Sequence, residues 1–199
     1  MLLHKVPFDW KQRAILQGRG FHVDVGAFST GIVGGGAGTV IDIDQPEGMI
    51  SVPTGTSILP IRVAVQVQTG LITTDLDENE ILVGVDVAKA SDGTGTMTTE
   101  TALKMYMGNG TTLCTCYSAF TANTTAPVVG MELARKVETA DMTGSSTSAW
   151  AHQLDLVYEP NTPPVLVGPC CLLVYWGGTV ATVGGFAQIE WIEFLTADL

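Results

Sequence analysis

The segment Leu59-Pro-Ile-Arg-Val-Ala-Val-Gln-Val67 sets Leu59, Ile61, Val63, Val65 and Val67 at every second position, with Pro60, Arg62, Ala64 and Gln66 between them. Side chains of an extended chain point alternately to opposite faces, so this spacing predicts a strand with one buried and one wetter side. A second run repeats the pattern: Ile81, Val83, Val85 and Val87 alternate with Leu82, Gly84, Asp86 and Ala88. A polar stretch from Thr73 to Asn79 separates the two runs. Together they predict antiparallel strands whose aliphatic rows, Leu59 to Val67 and Ile81 to Val87, lie buried between two sheets.

The rest of the chain supports the same class. Further strands are predicted over 21–28, 40–43, 49–52, 100–107, 112–119, 127–135, 149–158, 170–176 and 185–194. Turn signals fall between them, and short helical potential is confined to Trp10–Gln17, ended by Gly18 and Gly20. Residues 31–38, 136–148 and 177–185 read as loops. A chain of 199 residues buries enough surface to fold without disulfides or metals. The expected architecture is an all-β antiparallel sandwich of jelly-roll type over 21–199, preceded by an N-terminal arm, 1–20. An immunoglobulin-like sandwich is disfavoured because the Cys…Trp…Cys spacing is missing.

Charge is unevenly spread. The net charge is −11, and only 15% of residues are charged against a usual value near 25%. Such a scarcity suggests surface covered by partners. Lys5, Lys11, Arg13 and Arg19 supply four of the nine basic residues, while Asp9 is the arm's single acid. The acidic body would repel nucleic acid, so at most weak contact through the arm is expected. Charge alone reads the arm as a solvated tail or a segment packing on a neighbour, but Leu2, Leu3, Val6, Phe8, Trp10, Ile15 and Leu16 carry too much apolar surface for a free tail, so the arm is expected to pack beneath its own sandwich or on a neighbouring subunit. Its opening residues lack a secretory pattern. The longest apolar run, Val165–Tyr175, is broken by Gly168 and Pro169, so no membrane span is expected.

Motifs for chemistry are sparse. The glycine cluster Gly31–Gly38 lacks the Gly-Lys-Ser/Thr ending of a phosphate loop and the strand–helix context of a dinucleotide site. Asp75, Asp77 and Asn79 match the first three ligand positions of a calcium loop, but Glu80 stands where glycine is needed. An acidic hairpin tip is the favoured reading over a weak calcium site. His4, His22 and His152 are too dispersed to ligate a metal together. Glu190 and Glu193 should face opposite ways, which bars them from acting as an acid–base pair. Asn109 and Asn123 begin formal glycosylation sequons that carry little weight without a signal peptide. Trp10, Trp150, Trp176 and Trp191 could form a sugar-stacking platform, although their spread favours packing roles. Cys114, Cys116, Cys170 and Cys171 read as buried free thiols, with a cross-strand Cys116–Cys170 or Cys114–Cys170 bridge left open. No catalytic constellation, cofactor or metal is expected.

The closing stretch Leu172-Leu-Val-Tyr-Trp-Gly-Gly-Thr-Val-Ala-Thr-Val-Gly-Gly-Phe-Ala-Gln-Ile-Glu-Trp-Ile-Glu-Phe194 resembles the final hairpin of viral single jelly-roll capsid proteins. The order of parts is similar too: a modestly basic arm, then about eight main strands with long Thr/Gly-rich loops. The chain departs from single-stranded RNA virus coats in lacking a dense Arg/Lys arm, which suits a virus or phage whose genome is condensed by other means. The resemblance implies a self-assembling capsid subunit, found in the virion and partnered by copies of itself and other virion proteins. The arm residues Phe8, Trp10, Lys11, Arg13 and Arg19 would then serve assembly. The competing expectation is a trimeric carbohydrate- or receptor-binding β-sandwich, such as a phage fibre head. An enzyme comes third.

Overall fold

A computed structural model describes residues 9–27, 30–35, 41–68, 77–89, 95–106, 110–123, 125–140, 153–178 and 183–199. One helix, α1 (Trp10–Leu16), precedes the strands β1 (Gly20–Val25), β2 (Ile32–Gly34), β3 (Gly48–Val52), β4 (Thr56–Gln68) and β5 (Asp77–Asp86). Then come β6 (Gly95–Glu100), β7 (Leu103–Lys104), β8 (Thr115–Asn123) and β9 (Met131–Ala140). The last strands are β10 (Gln153–Tyr158), β11 (Leu166–Val167), β12 (Cys170–Gly178) and β13 (Val183–Leu195). The protein is an all-β sandwich of two antiparallel sheets.

The first sheet runs β10-β4-β13-β1-β7, with β11 added to β4 and β2 added to β13. The second runs β6-β8-β3-β12-β5-β9. Four pairs are nested: β1 with β13, β3 with β12, β4 with β10 and β5 with β9. In each successive pair the two strands lie closer in sequence, and β6 to β8 are an insertion at the innermost turn.

One main core lies between the sheets. Val63, Val65 and Val67 of β4 meet Ile81, Val83 and Val85 of β5 there, together with Ile189 and Trp191 of β13. These residues follow the alternation in the sequence. Leu59, Ile61 and Val87 do not. Between Pro60 and Arg62 the β4–β13 register slips, so Ile61 is an extra residue on β4. A bulge of this kind reverses which side chains face inward. Ile58 therefore joins the main core, while Ile61 and Leu59 face away from it, against Ala14 of α1 and Ile192. Val87 lies just past the end of β5 and is 57% exposed.

Around its strand β12 the second sheet is apolar on both faces. Every position of β12 is buried. Leu172, Val174 and Trp176 point into the main core, whereas Cys171, Leu173 and Tyr175 form a further cluster with Met49, Leu82 and Phe120. That double burial explains the unbroken apolar run in its sequence.

Several sequence expectations fail for identifiable reasons. Ile32–Gly34, expected to be part of a loop, is strand β2, because Gly34 permits a close approach to Trp176. A Cβ on Gly34 would stand 2.3 Å from Trp176 Cδ1, and Trp176 Nε1 donates to the Ile32 carbonyl at 3.1 Å. Residues 41–43, expected as a strand, are irregular; their role is to cover sheet two, where Tyr175 Oη donates to the Ile43 carbonyl at 3.0 Å. Residues 136–140, expected in a loop, continue β9 along β5. Of the described part of the strand expected over 100–107, Leu103–Lys104 is a separate strand, while Glu100 ends β6, which pairs with the later strand β8. Residues 177, 178 and 183–185 extend the last two strands into the expected loop.

Three buried carboxylates fasten loops to strands. Asp86 accepts from the Ala88 and Val128 amides at 3.0 and 3.2 Å. Glu193 accepts from the Leu113 amide at 3.0 Å. Glu47, only 3% exposed, accepts from the Gly35 and Trp176 amides at 3.0 and 2.9 Å, joining β2, β3 and β12. Burial outweighs those two bonds and pushes the Glu47 carboxyl up to about 8, with Asp42 adding a smaller push the same way.

Val65→Asp would place a carboxylate without a partner between the sheets and should cost at least about 3 kcal/mol in chemical denaturation. Glu47 holds its proton in the folded state but loses it near pH 4.5 when unfolded. Folding therefore binds a proton between those two values, and stability from this group falls as pH rises, by up to about 1.4 kcal/mol per pH unit. Thermal melts from pH 5 to pH 8 should fall for the wild type and fall less steeply for Glu47→Gln; parallel slopes would refute the assignment.

Candidate functional site

The described part of the arm is docked on its own sandwich. Asp9 starts α1 with a capping box: its carboxylate accepts from the Gln12 amide at 2.7 Å, and the Gln12 side chain accepts from the Asp9 amide at 3.2 Å. Gly18 ends it at φ +76°, with the Gly18 and Arg19 amides returning to the Ile15 and Ala14 carbonyls. That Schellman closure requires a left-handed residue, which glycine adopts without penalty. The helix then seats Ala14 on Ile61 and Ile192, with Leu59, Met105 and Phe194 around them.

The five arm residues of interest divide. Phe8 lies outside the described residues. Trp10 is 43% exposed at the first helical position. Lys11 pairs with Glu159 at 3.9 Å. Arg13 stands exposed in the last helical turn, where a cation complements the helix dipole. Arg19 pairs with Asp198 at 3.8 Å and lies 5.4 Å above the Phe194 ring. Two of these cations thus face carboxylates of their own chain, which lowers what the arm can offer a polyanion.

The other sequence candidates disperse. Asp75 lies outside the described residues, and Asp77 and Asn79 sit within β5 opposite Ala140 and Glu138, with Asn79 buried. They form part of a paired strand where a hairpin tip was expected. His4, Asn109, Trp150 and His152 also lie outside the described residues. Trp176 and Trp191 are fully buried in the core, so neither belongs to a sugar-stacking platform. Glu190 pairs with Arg62 on the outer face, whereas Glu193 binds Thr112 and Leu113 from the other side of β13. Among the described residues no group of three or more His, Cys, Asp or Glu could hold a metal ion, and no helix is long and apolar enough to cross a membrane.

The four cysteines are free and buried. Cys114 and Cys116 share the main core with Cys170, while Cys171 points to the opposite face. Strand β3 lies between β8 and β12, which carry Cys116 and Cys170. Two strand spacings, about 9.6 Å, exceed the reach of a disulfide, so neither cross-strand bridge left open by the sequence forms.

What the fold does assemble is a groove that sequence motifs missed. Helix α1 covers only one end of the outer face of sheet one. Beyond the Arg62–Glu190 ion pair, 3.0 Å long, the described residues of the same face form a groove of about 750 Å³. Two rows of outward side chains form it. One row crosses four strands as Asp24, Gln188, Ala64 and Val157. The next places Phe186, Gln66 and Asp155 side by side. Ala64 and Gly26 keep the floor low. A Cβ on Gly26, at φ +95°, would stand 3.0 Å from the Phe186 ring. One rim is fixed by hydrogen bonds. Gln188 Nε2 donates to Asp24 Oδ1 at 3.1 Å, Arg62 Nη1 approaches Gln188 Oε1 at 3.4 Å, and His22 Nε2 lies 3.6 Å from Asp24 Oδ2. The sequence signal was there, in small and polar residues at the outward positions of β4, but only the strand order brings them beside Asp24 and Phe186.

No family model, no curated protein and no solved structure matches this chain.

The thiols give a direct check on this arrangement. Burial, reinforced by nearby carboxylates, pushes Cys116 and Cys171 up to about 12 and Cys170 up to about 11, and raises Cys114 as well. The reactive thiolate is therefore scarce at neutral pH. Folded protein at pH 8 should leave a thiol-specific reagent nearly unconsumed, and denaturant should release all four cysteines. Rapid labelling of the native state would contradict the burial.

Proposed function

We propose that the sandwich is a jelly roll and that the chain is a self-assembling shell subunit of a virus or bacteriophage. The observation that carries this reading is the nested pairing. A jelly roll arises when one long antiparallel hairpin is wound into two facing sheets. Its eight strands then pair first with last, second with seventh, third with sixth and fourth with fifth. Here β1–β13, β3–β12, β4–β10 and β5–β9 follow that order, and β1-β13-β4-β10 face β3-β12-β5-β9.

Other features support the same reading. A sandwich apolar in its interior and, around β12, on the outer side of one sheet suits a role in which form is the function. Exposed aliphatic side chains are numerous for so few charges; Val33, Val128, Val165 and Leu195 are each more than half uncovered. Contacts with neighbouring copies would bury such residues. A second reading, a discrete carbohydrate- or receptor-binding head, draws on the open groove.

Imaging the purified full chain by negative stain, alongside sedimentation velocity, tests the proposal. Closed particles or capsomers of defined size are expected, with assembly reduced when residues 1–17 are removed. Monomers or isolated trimers over a wide range of concentration and salt would overturn it.

A further inference from the structure

We infer that the open half of sheet one is a binding groove for an uncharged saccharide, spanning two or three sugar rings. The inference does not depend on assembly, since every residue it uses belongs to one chain.

The argument begins with what the groove excludes. Asp24 and Asp155 stand at opposite edges of a strongly acidic protein, and the cation closest in register, Arg62, is held by Glu190. Phosphates, nucleic acids and acidic sugars would meet both carboxylates, and the basic groups described at the edges are turned to those same residues: His22 Nε2 lies 3.6 Å from Asp24 Oδ2, and Lys136 Nζ donates to the Asp155 backbone carbonyl at 2.9 Å. An apolar partner would fare little better, because Asp24, Gln66, Gln188 and Asp155 would be dried without replacement hydrogen bonds.

A neutral saccharide needs the mixture that is present. Its hydroxyls both donate and accept; carboxylates accept only, and amide side chains do both. The two rows alternate these groups with apolar surface: Gln188 and Asp24 beside Ala64, then Gln66 and Asp155 beside Phe186. Phe186 and Val157 offer flat and aliphatic surface for the C–H face of a ring. From β1 to β10 there are three strand spacings, about 14 Å in all, and a volume of about 750 Å³ lies within the range of small-molecule sites. The hydrogen bonds from Arg62 through Gln188 to Asp24 fix one edge before any ligand arrives, which reduces the ordering cost of binding.

The test titrates the full chain with maltotriose, cellotriose, mannotriose, galactotriose and chitotriose, followed by isothermal calorimetry and by NMR of the Gln66 and Gln188 side-chain amides. At least one trisaccharide should bind with millimolar affinity or better and shift those amides. Gln66→Ala and Asp155→Asn should each weaken that binding at least about tenfold, the equivalent of one well-formed hydrogen bond, with the β-sheet circular dichroism of the fold retained. The inference fails if none of the five sugars binds, or if binding persists undiminished in both variants. It also fails if hexa-lysine occupies the groove and the sugars do not. Particle formation is scored separately, so loss of sugar binding leaves the shell proposal untouched and the reverse holds too.

Discussion

The β4–β13 ladder is the element on which the remainder of this protein depends. Both strands run thirteen residues and pair from Gly184–Gln68 to Leu195–Thr56. Their inward rows, Val63 to Val67 and Ala187 to Trp191, supply the centre of the main core. Their outward rows supply both surfaces of interest. The bulge at Ile61 divides those surfaces. On one side, an extra apolar side chain gives α1 something to sit on. On the other, Ala64 keeps the sheet low and leaves a groove. A regular ladder of the same length would offer α1 one fewer apolar contact.

Around that ladder, buried carboxylates do work that hydrophobic burial cannot. Irregular segments carry backbone amides that need partners once they leave water. Glu47, Asp86 and Glu193 meet that need for Gly35, Val128 and Leu113. Each holds a loop against a sheet. The two-faced burial of β12 belongs to the same logic, since residues 41–43 could cover Tyr175 only with their polar backbone satisfied.

How much of this was legible in the sequence depends on distance along the chain. Alternation identified the inward rows of β4 and β5 because both depend on neighbours two residues apart. The same rule misplaced Leu59 and Ile61, since the slip that turns them outward arises from pairing with Glu190 and Trp191, far away in sequence. Strand β2 was hidden by the glycine cluster around it, which lowers strand propensity, although Gly34 is what Trp176 demands. The helix was visible through Gly18 and its flanking pattern. The groove was not, because it has no motif: Asp24, Gln66, Asp155, Phe186 and Gln188 come from four strands and meet only through the sheet order.

Removing Ile61 alone tests this account most directly. Deletion would restore a regular register, keeping Pro60 and Val63 inward and Arg62 outward, while taking away the contact beneath Ala14. Hydrogen exchange of the deletion variant should show β4 and β13 amides still protected, and the Gln17, Gly18 and Arg19 amides exchanging much faster than in the wild type. Unchanged protection of those three amides, or collapse of protection across the whole ladder, would contradict the view that the bulge exists to dock the helix.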